Sequence, residues 1–204
     1  SHTVTDWEQI HPPVSREEGG VFAQVLDWKR FVTDQAASFI KLERDAVKAV
    51  DPSIPVTTNF MYYYDGYNYF QFKDLLDVIS WDSYPQWRGG NNGSLAADYA
   101  LYHDMMRSMK GKPFLLMESA PSTANWWPVS KLKKPGMHRM ASLQAVAHGS
   151  NSVQYFQFRK SRGAFEKFHG AVVDHYGGTD TREFQDVKAV GQRLERLDAV
   201  TQAN

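Results

Sequence analysis

The chain has 204 residues, 42% of them hydrophobic and 23% charged, so it is long enough to bury a sizeable core. Its 23 basic and 23 acidic residues balance, which leaves no electrostatic footprint for nucleic acid or an anionic membrane. The sequence has no cysteine, which excludes disulfides and thiolate metal sites. It also has no apolar stretch of the roughly 20 residues that a membrane span needs.

No phosphate-binding glycine loop, paired-histidine zinc motif or calcium-loop pattern occurs in the sequence. We therefore expect no cofactor and no metal, and no nucleic-acid or membrane partner. No signal peptide is recognised in the sequence, and the location that we expect is the cytoplasm.

The predicted helices and strands alternate along the chain. Apolar residues at spacings of three and four predict a first helix that ends before Asp51 and Pro52. Helices are predicted at residues 26–50, 95–110, 135–148 and 181–199, with a short one after an aromatic loop at 62–70. Strands are predicted at residues 54–60, 77–82, 113–118 and 152–158, and a polar loop at 86–92. A strand followed by a helix, four times, predicts an α/β fold.

The third predicted strand ends on a carboxylate. Five apolar residues, 113–117, precede Glu118, and Pro121 and Pro128 then interrupt regular structure. A strand buried on both faces that brings a carboxylate to its C-terminal end is how a parallel barrel presents a catalytic group. The alternative interpretation is that Glu118 caps a helix or pairs with an arginine.

Polar side chains follow the C-terminal ends of all four predicted strands. These residues are Asn59, Asp82, Tyr84, Glu118, Gln157 and Arg159. Trp126, Glu166 and His169 lie in loops that we expect on the same side. Each could have a structural role instead, in turn packing, in the core or on the surface. Because barrels of parallel strands carry their sites on this one side, the coincidence predicts an active site there.

The chain resembles the family 42 glycoside hydrolases, the microbial β-galactosidases, over nearly its whole length. The resemblance is carried by residues 5–10 (TDWEQI), 26–31 (LDWKRF), 55–61 (PVTTNFM), 77–85 (DVISWDSYP), 114–118 (FLLME), 125–126 (NW) and 163–175 (GAFEKFHGAVVDH). It implies a (β/α)8 TIM barrel in which residues 1–204 cover roughly strands five to eight. The chain would then be the C-terminal half of a catalytic domain in a longer protein, which the resemblance also implies is a homotrimer.

The resemblance also assigns roles to particular residues. Glu118 corresponds to the catalytic nucleophile, with Pro121, Asn125 and Trp126 in register. Glu166 and His169 correspond to residues that bind the sugar. The family's general acid/base is a Glu that follows an Asn, and no such pair occurs here, so we expect that residue to fall before residue 1.

Physical reasoning supports these roles. Tyr84 can offer a hydroxyl that keeps Glu118 ionised. Glu166 and His169 suit the axial 4-hydroxyl of galactose as acceptor and donor, and Trp126 offers an apolar face to the sugar. The predicted substrate is a β-galactoside or an oligosaccharide. The alternatives are a related α-L-arabinopyranosidase, or an incomplete half-barrel that only binds sugar or a partner.

Two further segments were considered for function. The aromatic loop at 62–70 could be a platform for longer saccharides, but we favour a loop folded on its own rings or packed on a neighbouring subunit. Met105, Met106 and Met109 in the second long helix predict core packing rather than a cofactor site.

Overall fold

A computed structural model describes residues 3–13, 21–87 and 91–197 of the chain. These residues form two compact units. The first unit contains the described residues up to Ile54 together with Tyr63–Leu75. The second contains Pro55–Tyr62 and the described residues from Leu76 onward.

The first unit is built on one long helix, α1, which spans Phe22–Val50. Two short 3-10 helices at Trp7–Gln9 and Tyr69–Gln71 belong to the same unit. The helix begins four residues earlier than predicted and ends at the predicted residue. It ends there because Asp51 turns to extended backbone, with its N–H bonded to the oxygen of Val47 at 3.1 Å.

The aromatic loop of the first unit is folded on its own rings. Tyr63 packs edge-on against Tyr69 with ring centroids 5.0 Å apart, and Tyr64 packs on Tyr67 at 5.1 Å. The buried hydroxyl of Thr33 on α1 accepts a hydrogen bond from the backbone of the same loop, at Asn68 N. The favoured interpretation of this loop as self-packed is confirmed.

The second unit is an α/β layer with a parallel four-stranded sheet, in the order β1-β2-β3-β4. Its strands are β1 at Asn59–Met61, β2 at Ser80–Ser83, β3 at Phe114–Ser119 and β4 at Ser150–Val153. Its helices are α2 at Asn92–Lys110, α3 at Met137–Ala147 and α4 at Arg182–Leu194. Strands that follow one another in sequence lie side by side, so the α/β class is confirmed.

The first and last strands are shorter than predicted. Before β1, Val56 bonds through its N–H to the side chain of Asp77 rather than to a neighbouring strand. After β4, the N–H groups of Gln154 and Phe156 still donate to backbone oxygens of β3, but the regular ladder has ended. Residues 157–159 therefore follow a strand instead of ending one. Helix α4 ends at Leu194, and the predicted positions 198–199 and 88–90 lie outside the described residues.

Helices α2 and α3 cover one face of the sheet. Trp81 of β2 is completely buried and stacks on Tyr99 of α2, with ring centroids 6.1 Å apart. Met106 and Met109 are also buried, as the core interpretation of α2 predicts. None of the helices that the structure describes is long and apolar enough to cross a lipid bilayer.

Candidate active site

A β-bulge in β3 determines which face of the sheet carries Glu118. Leu116 is the partner of Trp81, but the next pair along the strands is Glu118 with Asp82, so Met117 is an extra residue in β3. Successive strand residues point to opposite faces. Without the bulge, Glu118 would share the helix-covered face of Leu116; with it, Glu118 lies on the opposite face beside Asp82.

Tyr84 is the hydrogen-bond partner of Glu118. It comes directly after β2, is buried, and its hydroxyl donates to Oε2 of Glu118 at 2.6 Å. Burial, the bond to Glu118 and the negative charges of Glu118, Asp82 and Glu166 raise the pKa of the Tyr84 hydroxyl. The hydroxyl therefore keeps its proton and remains a donor. Glu118 thus lies within β3 and bonds to a tyrosine. The alternative interpretation, in which Glu118 caps a helix, is wrong.

Asp82 is a second carboxyl group at the same point of the sheet. Its side chain is 3% exposed, and Oδ2 accepts a hydrogen bond from Nδ2 of Asn59 at 2.6 Å. Its Oδ1 atom is buried and has no hydrogen-bond partner among the described residues. Burial raises the pKa of Asp82 to about 6, with the charge of Glu118 adding to the rise and the Asn59 bond opposing it. One carboxyl group of the site therefore titrates close to neutral pH.

The loops after β3 and β4 are bonded to each other beside these carboxyl groups. Nδ2 of Asn125 donates to the backbone oxygen of Phe165 at 2.8 Å, and the N–H of Gly170 donates to that of Thr123 at 2.8 Å. A side chain at position 170 would place its Cβ 2.7 Å from the backbone of Thr123. Only glycine allows this approach, which brings the second loop over the first.

Trp126 packs against the tyrosine that holds Glu118. Its ring meets that of Tyr84 edge-on with centroids 5.3 Å apart, and it also contacts Trp127 at 4.6 Å. Trp126 is only half-buried, so part of its indole remains open to a ligand. Trp126 therefore packs against Tyr84 and Trp127 while part of the residue stays exposed.

His169 and Glu166 reach the same site from the loop after β4. The ring of His169 is fully buried and packs edge-on against Tyr84 at 5.8 Å and Phe156 at 5.0 Å. Its Nδ1 lies 3.0 Å from the carbonyl oxygen of Gly170, and its Nε2 is buried without a hydrogen-bond partner among the described residues. The charge of the half-buried Glu166 acts on Tyr84, which places it within electrostatic reach.

One ring nitrogen of His169 already has a backbone partner. A carbonyl oxygen can only accept, so Nδ1 is the donor to Gly170 and Nε2 is the atom left for another group. The partly buried ring of Phe156, which helps to fix this histidine, was not singled out in the sequence. Its only signal there was its place in an apolar strand pattern.

Two of the residues expected around the site have other contacts. Arg159 is exposed and forms a parallel β-bridge with Val173, which favours the surface interpretation of its charge. The side chain of Gln157 accepts a bond from Ser161 at 2.8 Å and donates weakly to the oxygen of Glu166 at 3.4 Å. Gln157 therefore supports the loop rather than the carboxyl groups.

The fold and the site together define a class: an α/β protein with a carboxylate site at the C-terminal edge of a parallel sheet. The family model for the beta-galactosidases of glycoside hydrolase family 42 matches residues 1–197. The chain belongs to this family.

Individual relatives agree with the family match. Beta-galactosidase BglY of Alicyclobacillus acidocaldarius is 59% identical over 198 residues, which are 97% of this chain and 29% of the relative. The crystal structure of the cold-adapted beta-galactosidase from Rahnella sp. R3 superposes with a TM-score of 0.93 at 55% identity, covering 98% of this chain and 30% of that one. A catalytic Glu-to-Ala mutant of Gan42B from G. stearothermophilus superposes at 0.91 and 48% identity, with 98% and 30% covered. The chain thus spans about three tenths of the length of these relatives.

Proposed function

We propose that this chain supplies the nucleophile half of a retaining β-galactosidase. In this proposal residues 1–204 form roughly strands five to eight of a (β/α)8 barrel, the C-terminal half of the catalytic domain. The family match and the sequential order of four parallel strands support it. The observation that carries the proposal is the 2.6 Å hydrogen bond from Tyr84 to Glu118 at the C-terminal edge of the sheet. The glutamate replaced in the catalytic mutant of Gan42B agrees with a catalytic carboxylate in this family.

Glu118 acts as the nucleophile of a double displacement. One carboxylate oxygen of Glu118 forms a bond to the anomeric carbon while the bond from that carbon to the leaving oxygen breaks. The leaving oxygen takes a proton from a second carboxyl group, and water then cleaves the glycosyl-enzyme ester with overall retention. We place that second group outside this chain, because no Asn-Glu pair occurs in the sequence.

Tyr84 positions the nucleophile. Its hydroxyl donates to Oε2 of Glu118 and holds the carboxylate in one orientation. The ring is fixed from two sides by Trp126 and His169, so the hydroxyl stays aimed at Glu118. This arrangement leaves the other carboxylate oxygen of Glu118 for attack.

Glu166, His169 and Trp126 bind the sugar in this proposal. The carboxylate of Glu166 accepts bonds from sugar hydroxyls, and the open part of the Trp126 ring covers an apolar C–H face. The buried Nε2 of His169 accepts a further bond once sugar binding uncovers the ring. Polar groups that a wrong epimer would leave unpaired give strong discrimination. An α-L-arabinopyranoside differs from a β-galactoside only by lacking the hydroxymethyl group, and it remains the second candidate substrate. The homotrimeric assembly and the cytoplasmic location also remain proposals.

The test uses the complete polypeptide that the gene encodes. We expect it to hydrolyse 4-nitrophenyl β-D-galactopyranoside, with β-galactose as the first product seen by NMR, and more slowly the α-L-arabinopyranoside. The Glu118→Gln variant is the matched control and should lose both activities. α-Galactose as the first product, or full activity in the variant, would contradict the proposal. A higher kcat/KM on the arabinopyranoside would make that sugar the preferred substrate, and the proposed mechanism would be unchanged.

A further inference from the structure

A small polar cavity lies on the helix-covered side of the sheet, away from the carboxyl groups. It is bordered by β2, β3, α2, α3 and the loops that follow the two strands, all within the second unit. Its volume is about 20 Å³. The residues that matter here are Trp87 from the loop after β2, His103 from α2, Lys133 from the loop after β3, and His138 from α3.

Several buried nitrogens around this cavity have no hydrogen-bond partner among the described residues. They are both ring nitrogens of His138, Nδ1 of His103 and Nε1 of Trp87. His138 and His103 are each 2% exposed. Buried polar groups in proteins almost always have a partner, because leaving one without a hydrogen bond destabilises the fold. Four such atoms around one cavity indicate a ligand.

Other polar groups of the cavity wall already have partners. The hydroxyl of Ser119 donates to the oxygen of Gln154 at 2.8 Å, and that of Ser142 donates to the oxygen of His138 at 2.9 Å. The Lys133 ammonium donates to the oxygen of Ala120. The nitrogens that still lack a hydrogen-bond partner therefore belong to the imidazoles of His138 and His103 and to the indole of Trp87.

The charges around the cavity restrict the ligand. Burial lowers the pKa of His138 to about 3 and that of His103 to about 4, so both rings are neutral at pH 7. A neutral imidazole has one N–H and one lone-pair nitrogen, so it needs a donor as well as an acceptor. A halide cannot donate, a protonated oxyanion such as bicarbonate is too large for the cavity, and a metal cation would face the ammonium of Lys133 with no carboxylate in the lining. Water both donates and accepts, and the volume exceeds the roughly 10–15 Å³ that one molecule requires.

We propose that this cavity is an internal water site, in which one ordered water molecule bridges His138 to Trp87 and His103. The water also links separate elements of the fold. Trp87 comes three residues after Tyr84, so bound water ties the loop that carries this tyrosine to helices α2 and α3. The water thus helps to hold the start of the loop after β2 against the helix-covered face of the sheet.

The test is a crystal structure of the complete polypeptide at about 1.5 Å resolution, with a parallel crystal soaked in bromide. We expect water density within hydrogen-bond distance of His138 and of Trp87 Nε1, and no anomalous bromide peak in the cavity. A cavity without density, a bromide peak there, or imidazoles bonded directly to protein groups would overturn the proposal.

Two variants of α3 give an independent readout. His138→Phe keeps the ring but removes both nitrogens; the water density should disappear and Tm should fall, because Trp87 loses its acceptor. Ser142→Ala is the matched control in the same helix, since its hydroxyl is already bonded within the helix, and the water should stay. In a dry cavity His138→Phe would instead remove two unpaired nitrogens and raise Tm, which would contradict the proposal.

Discussion

Asp82 and Glu118 lie directly opposite each other on neighbouring parallel strands, as a pair that exists only because of the extra residue Met117 in β3. The bulge turns Glu118 away from the helix-covered core and places two carboxyl groups side by side. Because two negative charges on neighbouring strands repel each other, the simultaneous ionisation of Asp82 and Glu118 is disfavoured. Asn59 and Tyr84 each donate one hydrogen bond to the pair, to Asp82 and Glu118 respectively.

The raised pKa of Asp82 predicts a pH-dependent stability. Because burial raises this pKa from 3.8 to about 6, the folded state holds the proton more tightly than the unfolded state. The contribution of Asp82 is therefore fully present below pH 3.8 and is lost as pH rises to about 6. Above that pH, the ionised Asp82 lowers the free energy of unfolding by up to about 2–3 kcal/mol.

The Asp82→Asn variant of the complete polypeptide removes this titration. The difference between the Tm of this variant and that of wild type, measured by calorimetry, should grow by a few degrees in favour of the variant as the pH rises from 4 to 7. The exposed Asp74 is the control position, and Asp74→Asn should show no such trend. A Tm difference for Asp82→Asn that is flat or falls with pH would contradict the buried, proton-holding carboxyl group described here.

Tyr84→Phe should lower kcat by about 10- to 100-fold on aryl β-galactosides, the usual effect of losing one hydrogen bond to a charged group. The loss should appear in kcat/KM as well, because the hydrogen bond that orients the attacking carboxylate of Glu118 is missing throughout the displacement. Tyr176→Phe removes a similar phenol–carboxylate bond, to Asp180 on the surface, and should leave both quantities unchanged. Unchanged kcat and kcat/KM in Tyr84→Phe would rule out this role.

Glu166→Gln and His169→Ala should each weaken transition-state binding by about 2–4 kcal/mol, or about 30- to 1,000-fold in kcat/KM. The loss should shrink on deoxygenated galactosides that lack the contacted hydroxyl. Lys167→Ala, between them on the exposed side of the loop, is the control and should retain activity. Equal losses on galactosides and deoxygenated analogues would show that the two residues are structural.

The sequence predicted the α/β class and most element positions, because apolar spacing alone distinguishes these helices from the buried strands. The end of β3 at Glu118 and the burial of Met106 and Met109 followed from such local patterns. The same patterns overextended the first and last strands. There the backbone bonds to a side chain, as Val56 does with Asp77, or leaves the ladder after Val153. Such bonds join residues far apart in sequence, and periodicity carries no information about them.

The composition of the site was predicted better than its geometry. Tyr84, Glu118, Trp126, Glu166 and His169 are brought together, in keeping with their expected place on one side of the sheet. The bulge at Met117 could not be foreseen, since an extra strand residue leaves no local signature in an apolar run. The tautomer of His169 depends on one backbone carbonyl, and Arg159 could have faced either way.

The proposed half-site also predicts how the 204-residue chain behaves when it is expressed alone. Among the described residues β1 and β4 form the two edges of the sheet, and Met61 and Phe158 are more than half exposed. Such edges and apolar surface favour association. By light scattering we expect oligomers or aggregates, and by assay negligible hydrolysis of lactose, since the proposal places the acid/base Glu outside this chain. A monodisperse monomer with lactase activity would contradict the half-barrel proposal.

Covalent trapping tests the central claim, that Glu118 is the nucleophile, most directly. The complete polypeptide is incubated with 2,4-dinitrophenyl 2-deoxy-2-fluoro-β-D-galactopyranoside, whose leaving group needs no proton and whose fluorine slows hydrolysis of the ester. Peptide mass spectrometry should then find a single fluorogalactosyl group on Glu118, and no label in Glu118→Gln. Labelling of Asp82, of Glu166 or of any other residue while Glu118 stays unmodified would contradict the account.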